Sequence, residues 1–232
     1  QIMKANKKNK IAKQSKKNLK NNKPKILWMM SQKMQKVVFF SALTALTLIS
    51  STAKAATLNV DTGDGACSDV RGTPYCTLQA AVTDAADGDT IAIAAGIYNE
   101  NIIANDKGLT LTGDAPSTTV IDGGGVSGTL NFLSATSWDV ALNNLTIRNG
   151  SQPDGGGFYM DQGNVTINNC DIINNEATTG NAGGVFLNVG SLSITDSSID
   201  GNFANSGAAG GILHISGAFN LTDSTVDSNE AA

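Results

Sequence analysis

The chain has 232 residues, with 20 acidic and 16 basic side chains, one histidine, three cysteines and 5% aromatics. The charges are segregated: thirteen basic residues lie in residues 1–55, which contain no Asp or Glu, whereas beyond them only Arg71, Lys107 and Arg148 oppose all twenty acidic residues, a net charge of −17. A body this acidic argues against nucleic acid and anionic lipid surfaces as partners and is compatible with divalent cations.

Within residues 1–55, Met34-Gln35-Lys36 precedes a mostly apolar run, Val37–Ser50, and then Ala53-Lys54-Ala55. A basic start, a short apolar core and an A-x-A end predict a secretory signal peptide cleaved between Ala55 and Ala56. The run is shorter than the roughly 20 residues a membrane-spanning helix needs. The Lys-rich stretch before Met34 reads as upstream sequence or an extended targeting region, not as a nucleic-acid arm. The protein is thus expected to be secreted or displayed at the cell surface. Contact with a membrane would come only through the signal or a C-terminal anchor beyond residue 232.

Residues 56–89 read as an N-terminal cap. Thr57–Val60 is a predicted strand, and Asp61–Pro74 is a polar loop with Gly63, Gly65 and Gly72. Cys67 and Cys76 bracket part of it; two cysteines nine apart in an exported loop are expected to be bridged, the alternative being two reduced thiols. Asp61–Gly65 lacks the later ligands of a calcium loop and reads as a turn. Thr77–Ala86 (TLQAAVTDAA) predicts a helix: Thr77 can cap it, and Leu78, Ala81, Val82 and Ala85 share one face. Asp87-Gly88-Asp89 would end it. One amphipathic helix ahead of a coil would cover the open end of the core.

Residues 90–232 read as that coil. Thr90–Ile97 alternates as a strand, Tyr98–Asn101 turns into Ile102-Ile103, Leu109–Gly113 is the next strand, and Val120-Ile121-Asp122 leads into Gly123–Gly125. From Gly156 the chain repeats every 27 residues, with copies starting at Gly156, Gly183 and Gly210. Apolar residues recur in register at Phe158/Val185/Ile212, Val165/Leu192/Phe219, Ile167/Ile194/Leu221 and Ile172/Ile199/Val226. Glycine recurs at Gly163/Gly190/Gly217 and asparagine at Asn175/Asn202/Asn229. Val140, Leu142 and Ile147 fall on the same columns once two extra residues are allowed before Gly156. Such a period with apolar columns marks a solenoid. Three short alternating strands per copy, separated by Gly, Asn, Asp and Ser, leave no room for a helix. The predicted fold is all-β: a right-handed parallel β-helix, a single-stranded solenoid of about 27 residues per turn with an N-terminal capping helix, truncated at its C-terminus. The Asn column is expected at a turn, where stacked side chains bond one another and tolerate left-handed backbone. Its role is structural.

The segment from Asp64 to Glu100 resembles the N-terminal cap of secreted bacterial β-helix proteins in which the second cysteine opens a CSLREA-like helix; here that helix begins Cys76-Thr77-Leu78-Gln79-Ala80-Ala81, with Gln-Ala in place of Arg-Glu. GLTLTGDAPSTTVIDGGG resembles an early turn of pectin-lyase-like proteins. The repeats beyond Gly156 resemble those of polymorphic outer-membrane proteins and adhesin-like autotransporter passengers. The resemblance covers residues 57–232 and implies the coil; lyases, glycosidases, adhesins and inert stalks share it.

A lyase on this fold needs an arginine or lysine base beside calcium held by several carboxylates, and a hydrolase needs two carboxylates at a suitable separation. Arg71 lies in the cap loop. Arg148 should point outward, with no acidic group placed near it by the repeat. His214 shares a column with Met160 and Leu187 and reads as packed. Cys170, where later copies have Ser197 and Ser224, reads as a small buried residue rather than a nucleophile. Asp196 over Asp223 and Asp200 over Asp227 read as solvated edges, with a bridging calcium as the alternative. No catalytic, cofactor-binding or metal residues are therefore assigned. The sequence favours an exported adhesin-like or structural protein that contacts extracellular glycans or surface proteins without chemistry. The alternative is a pectate-lyase-like lyase or glycosidase whose catalytic turns lie beyond Ala232 or use Arg148.

Overall fold

The structure, a computed structural model, describes residues 54–133 and 135–232. The predicted basic segment and apolar signal core, residues 1–53, fall outside the described residues. Lys54–Ala232 forms one compact unit. It is a parallel β-solenoid of about five turns at about 27 residues per turn.

Three long ladders carry the coil, and every pairing in them is parallel. In the first, Leu58, Ile91, Leu111, Leu142, Ile167, Ile194 and Leu221 stack in register, one per rung. In the second, Tyr98, Ile121, Ile147, Ile172, Ile199 and Val226 do the same. The third aligns Ile102, Leu130, Phe158, Val185 and Ile212. Inward positions are almost fully buried through Ile199, and each Leu or Ile so removed from water contributes about 1.5–3 kcal/mol. In the last turn Phe219, Leu221 and Val226 are exposed.

Four details differ from the sequence reading. The regular repeats carry a fourth short ladder, Ser151–Gln152, Glu176–Ala177, Phe203–Ala204 and Glu230–Ala231, in place of the plain turn that the polar composition suggested. Thr90–Ile97 is two strands on different faces, Thr90–Ile93 and Gly96–Asn99. The chain rounds a corner at Ala94-Ala95 so that Tyr98 enters the core and its hydroxyl donates to Ala94 O at 2.9 Å, which leaves Ile97 exposed. The helix, α1, spans Leu78–Asp84 and stops short of Ala86, because Ala85 is already extended. Lys107 Nζ caps that end, donating to the carbonyls of Val82, Thr83 and Ala85. At the other end Glu100 accepts from the Leu78 and Gln79 amides, both at 2.8 Å, so opposite charges match the two poles of α1.

The fourth difference concerns the asparagines. Asn175 and Asn202 are buried inside the coil. The Oδ1 atoms of Asn202 and Asn229 each accept both the backbone N–H and the Nδ2 of the asparagine a turn before, at 2.9–3.0 Å, and Asn175 Oδ1 accepts from the Gly150 amide. Each Nδ2 also donates to a carbonyl: Ile147, Ile172 and Ile199 in turn. The left-handed residues come one position earlier, at Asn174, Gly201 and Ser228. The ladder is therefore a core hydrogen-bond rail. A second left-handed column, Asn144, Asn169, Asp196 and Asp223, has φ between 47° and 58°. The stacked Asp196 and Asp223 belong to this column, where short polar side chains tolerate left-handed backbone.

Gly163, Gly190 and Gly217 mark the corner between the third and first ladders, with φ of 150°, 134° and 123°. A Cβ on Gly190 would sit 1.7 Å from Gly163 O. Gly190→Ala is expected to cost about 4 kcal/mol or more, or to prevent folding, whereas Gly65→Ala, with open space around it, should stay within about 0.5 kcal/mol. Urea unfolding monitored by circular dichroism reads both, and equal effects would refute the corner's role. Asn202→Ala strips acceptors from Asn175 and a donor from Ile172 O in the buried interior, an expected loss of about 2–4 kcal/mol in the same measurement.

Candidate binding face

The charged residues singled out in the sequence are tied into the scaffold. Arg148 is the clearest correction: an acidic partner does lie beside it. Asp122 occupies the same column one turn earlier and accepts from Arg148 Nε at 2.7 Å, and also from Asn149 Nδ2 and the Gly124 amide at 3.0 Å. Asp122 lies 26 residues before Arg148, off the 27-residue period of the later copies. Burial of Asp122 alone would raise its pKa, but these donors outweigh it and hold the carboxyl below the ordinary 3.8. Arg71 donates to Asp84 O at 3.3 Å and approaches Asp89 at 3.9 Å.

Cys67 and Cys76 are joined by a disulfide with Cα atoms 5.1 Å apart. Cys170 is buried; its N–H donates to Ser197 Oγ, as Ser197 N–H donates to Ser224 Oγ. Burial pushes its thiol up to about 11, so it stays protonated and unreactive at neutral pH. His214 Nε2 bonds Gly190 O at 2.8 Å and its ring lies 6.0 Å from Phe219. Asp200 stacks on Asp227, and Asp200 Oδ1 is buried without a hydrogen-bond partner. Among the described residues no group of three or more His, Cys, Asp or Glu is placed to hold a metal.

The feature the sequence reading missed lies on the outer side of the third ladder. There a groove of about 370 Å³ is lined by Ile103, Ser127, Asn131, Leu133, Gln152, Pro153, Asp154 and Tyr159. Its volume falls in the range of small-ligand sites. Tyr159 is half-buried and stacks on Phe186 of the next turn, with ring centroids 5.2 Å apart and planes within 3°. The opposite wall is the Ser151–Asp154 segment, which is pinned: Gln152 Nε2 donates to the Asp154 and Gly155 carbonyls, and Asp154 Oδ1 accepts from the Asn181 amide at 2.6 Å. Burial, then the charges of Asp161 and Asp154, raise the Tyr159 phenol above its ordinary 10.0, so it remains a neutral donor. A signal was present in the sequence. Strand alternation calls for polar residues at outward positions, yet Tyr159, Phe186 and Leu213 are in register and all large and apolar.

Solved structures similar to this chain include two that cover most of it. One is the Escherichia coli protein YbhC, at 15% identity and TM-score 0.45, covering 77% of this chain and 68% of the other. The second is a mutant pectin methylesterase in complex with a hexasaccharide, at 15% identity and TM-score 0.38, covering 66% of this chain and 54% of the other. No protein-family model and no curated protein matches the sequence.

The Asp122–Arg148 pair makes a pH prediction. A carboxylate with a depressed folded pKa contributes stability that is present above its unfolded value and lost as pH falls through the folded one. The stability difference between the native chain and Asp122→Asn should therefore be constant above pH 4.5 or so and shrink as the pH drops below about 4. Urea midpoints taken across that range check it, and a difference that grows on acidification would contradict it.

Proposed function

We propose that the chain is an exported, non-catalytic β-helix protein that binds neutral glycan chains along the outer side of its third ladder. The observation that carries this reading is the groove at Tyr159: an aromatic ring held by stacking, beside the amide oxygen of Gln152 and the carboxylate of Asp154. The apolar face of a sugar ring packs on an aromatic face, and its hydroxyls exchange hydrogen bonds with amides and carboxylates. The charge of −17 beyond residue 55 disfavours polyuronates and other polyanions, which narrows the ligand to neutral glycans. The alternative of polysaccharide cleavage would rest on catalytic turns beyond Ala232 or on Arg148, whose guanidinium is engaged by Asp122.

Calorimetric titration with neutral oligosaccharides tests the reading. Tyr159→Ala should weaken binding by about tenfold while leaving the fold intact, and Ser193→Ala on the first ladder should change nothing. Equal affinities for native and Tyr159→Ala protein would remove the groove from consideration. Release of unsaturated products from a uronate polymer with calcium would replace the binding role by catalysis.

A further inference from the structure

Ala56 is the point at which the cap takes hold of the chain. Lys54 and Ala55 are exposed, whereas the Ala56 N–H donates to Asp89 Oδ1 at 2.6 Å and its carbonyl accepts from the Thr90 amide at 2.8 Å. Asp89 is only 3% exposed. Its Oδ2 accepts from the Ala86 amide at 2.9 Å, and its backbone carbonyl accepts from Thr110. The nearest cation in contact is Arg71, at 3.9 Å, beyond direct hydrogen bonding, with a side chain that is 59% exposed. A buried carboxylate held by neutral amides favours a charged donor where one can be supplied.

We propose that hydrolysis of the Ala55–Ala56 bond supplies it: the new α-ammonium group of Ala56 pairs with Asp89 and locks the cap. This rests on the export reading for its peptidase, but not on the glycan groove. The step consumes one water, leaves a carboxylate on Ala55 and an amine on Ala56 that takes a proton at neutral pH, and involves no oxidation. The amide offers Asp89 one donor; the ammonium offers three, one to Oδ1 and two toward solvent at a half-buried residue. Asp89 joins the start of the first ladder to Ala86 just past the end of α1, so processing at Ala56 strengthens strand and helix together. A chain still carrying its leader has the same contacts without the charge.

In the full chain, exported and with its disulfide formed, residues 52–55 are replaced by the recognition sequence of a site-specific protease that cuts just before Ala56. Unfolding in urea is followed by circular dichroism before and after the cut. The cut should slow unfolding about tenfold in the chain with Asp89, and less than about twofold in Asp89→Asn. No change on cutting, or the same change in both chains, would overturn the proposal. Because Asp89→Asn removes a buried partner and can itself block folding, a second measurement uses the cut native chain alone. Its Ala56 amine should react with an amine-directed ester about tenfold more slowly than a free Ala-Thr-Leu peptide; equal rates would overturn the pairing. The mass of the naturally exported chain should correspond to a start at Ala56, and a different start would overturn the processing site. Loss of glycan binding in the groove would leave all three results untouched.

Discussion

Everything in this fold depends on stacking in register: each residue must accept, as its neighbour one rung away, the residue in the same column of the next turn. With strands about 4.8 Å apart, a column works only if its members are mutually compatible. Aliphatic columns satisfy this by dispersion and burial. The Asn175–Asn202–Asn229 column satisfies it by saturation, since each amide oxygen accepts from the turn before and each Nδ2 donates to a nearby carbonyl. Such a rail resists slippage, because a shift by one residue would strand several buried polar groups at once.

The same constraint gives a structural place to the charged and polar residues singled out in the sequence. Asp196 and Asp223 sit in a column of left-handed turns where Asn144 and Asn169 precede them. Asp122 and Arg148 neutralise each other across one rung. Cys170 does the work of a serine in a column of hydroxyl acceptors. Charged and polar residues on a solenoid are first of all neighbours of their column mates, and only those left over are available for a ligand.

The irregular part of the chain carries both the groove and the cap. The turns before Gly156 do not obey the 27-residue spacing, and their extra residues build the Ser127 and Ser151–Asp154 walls against Tyr159. The cap is equally specific. Glu100 and Lys107, both from the first turns, clamp the two poles of α1, Gln79 pairs through its side-chain amide with the exposed backbone of Ile103, and Asp89 gathers the start of the chain. Edge protection here is built from side chains instead of another strand.

The sequence by itself determined the repeat, its period, the inward columns and the existence of a capping helix, because each is a local pattern that parallel stacking merely copies from rung to rung. It also located the Asn column, though not the left-handed residue one position earlier, since backbone sign at a turn depends on which way the next strand leaves. What only the tertiary structure decided are the contacts between different turns of unequal length. Asp122 meets Arg148, Glu100 meets α1, and Tyr159 faces Gln152 because insertions shift the register before Gly156. Nothing in a linear periodicity specifies by how much. The groove was half legible in the run of outward Tyr159, Phe186 and Leu213. Its polar wall was not, because that wall comes from a segment whose position is fixed by hydrogen bonds to Asn181 a full turn away.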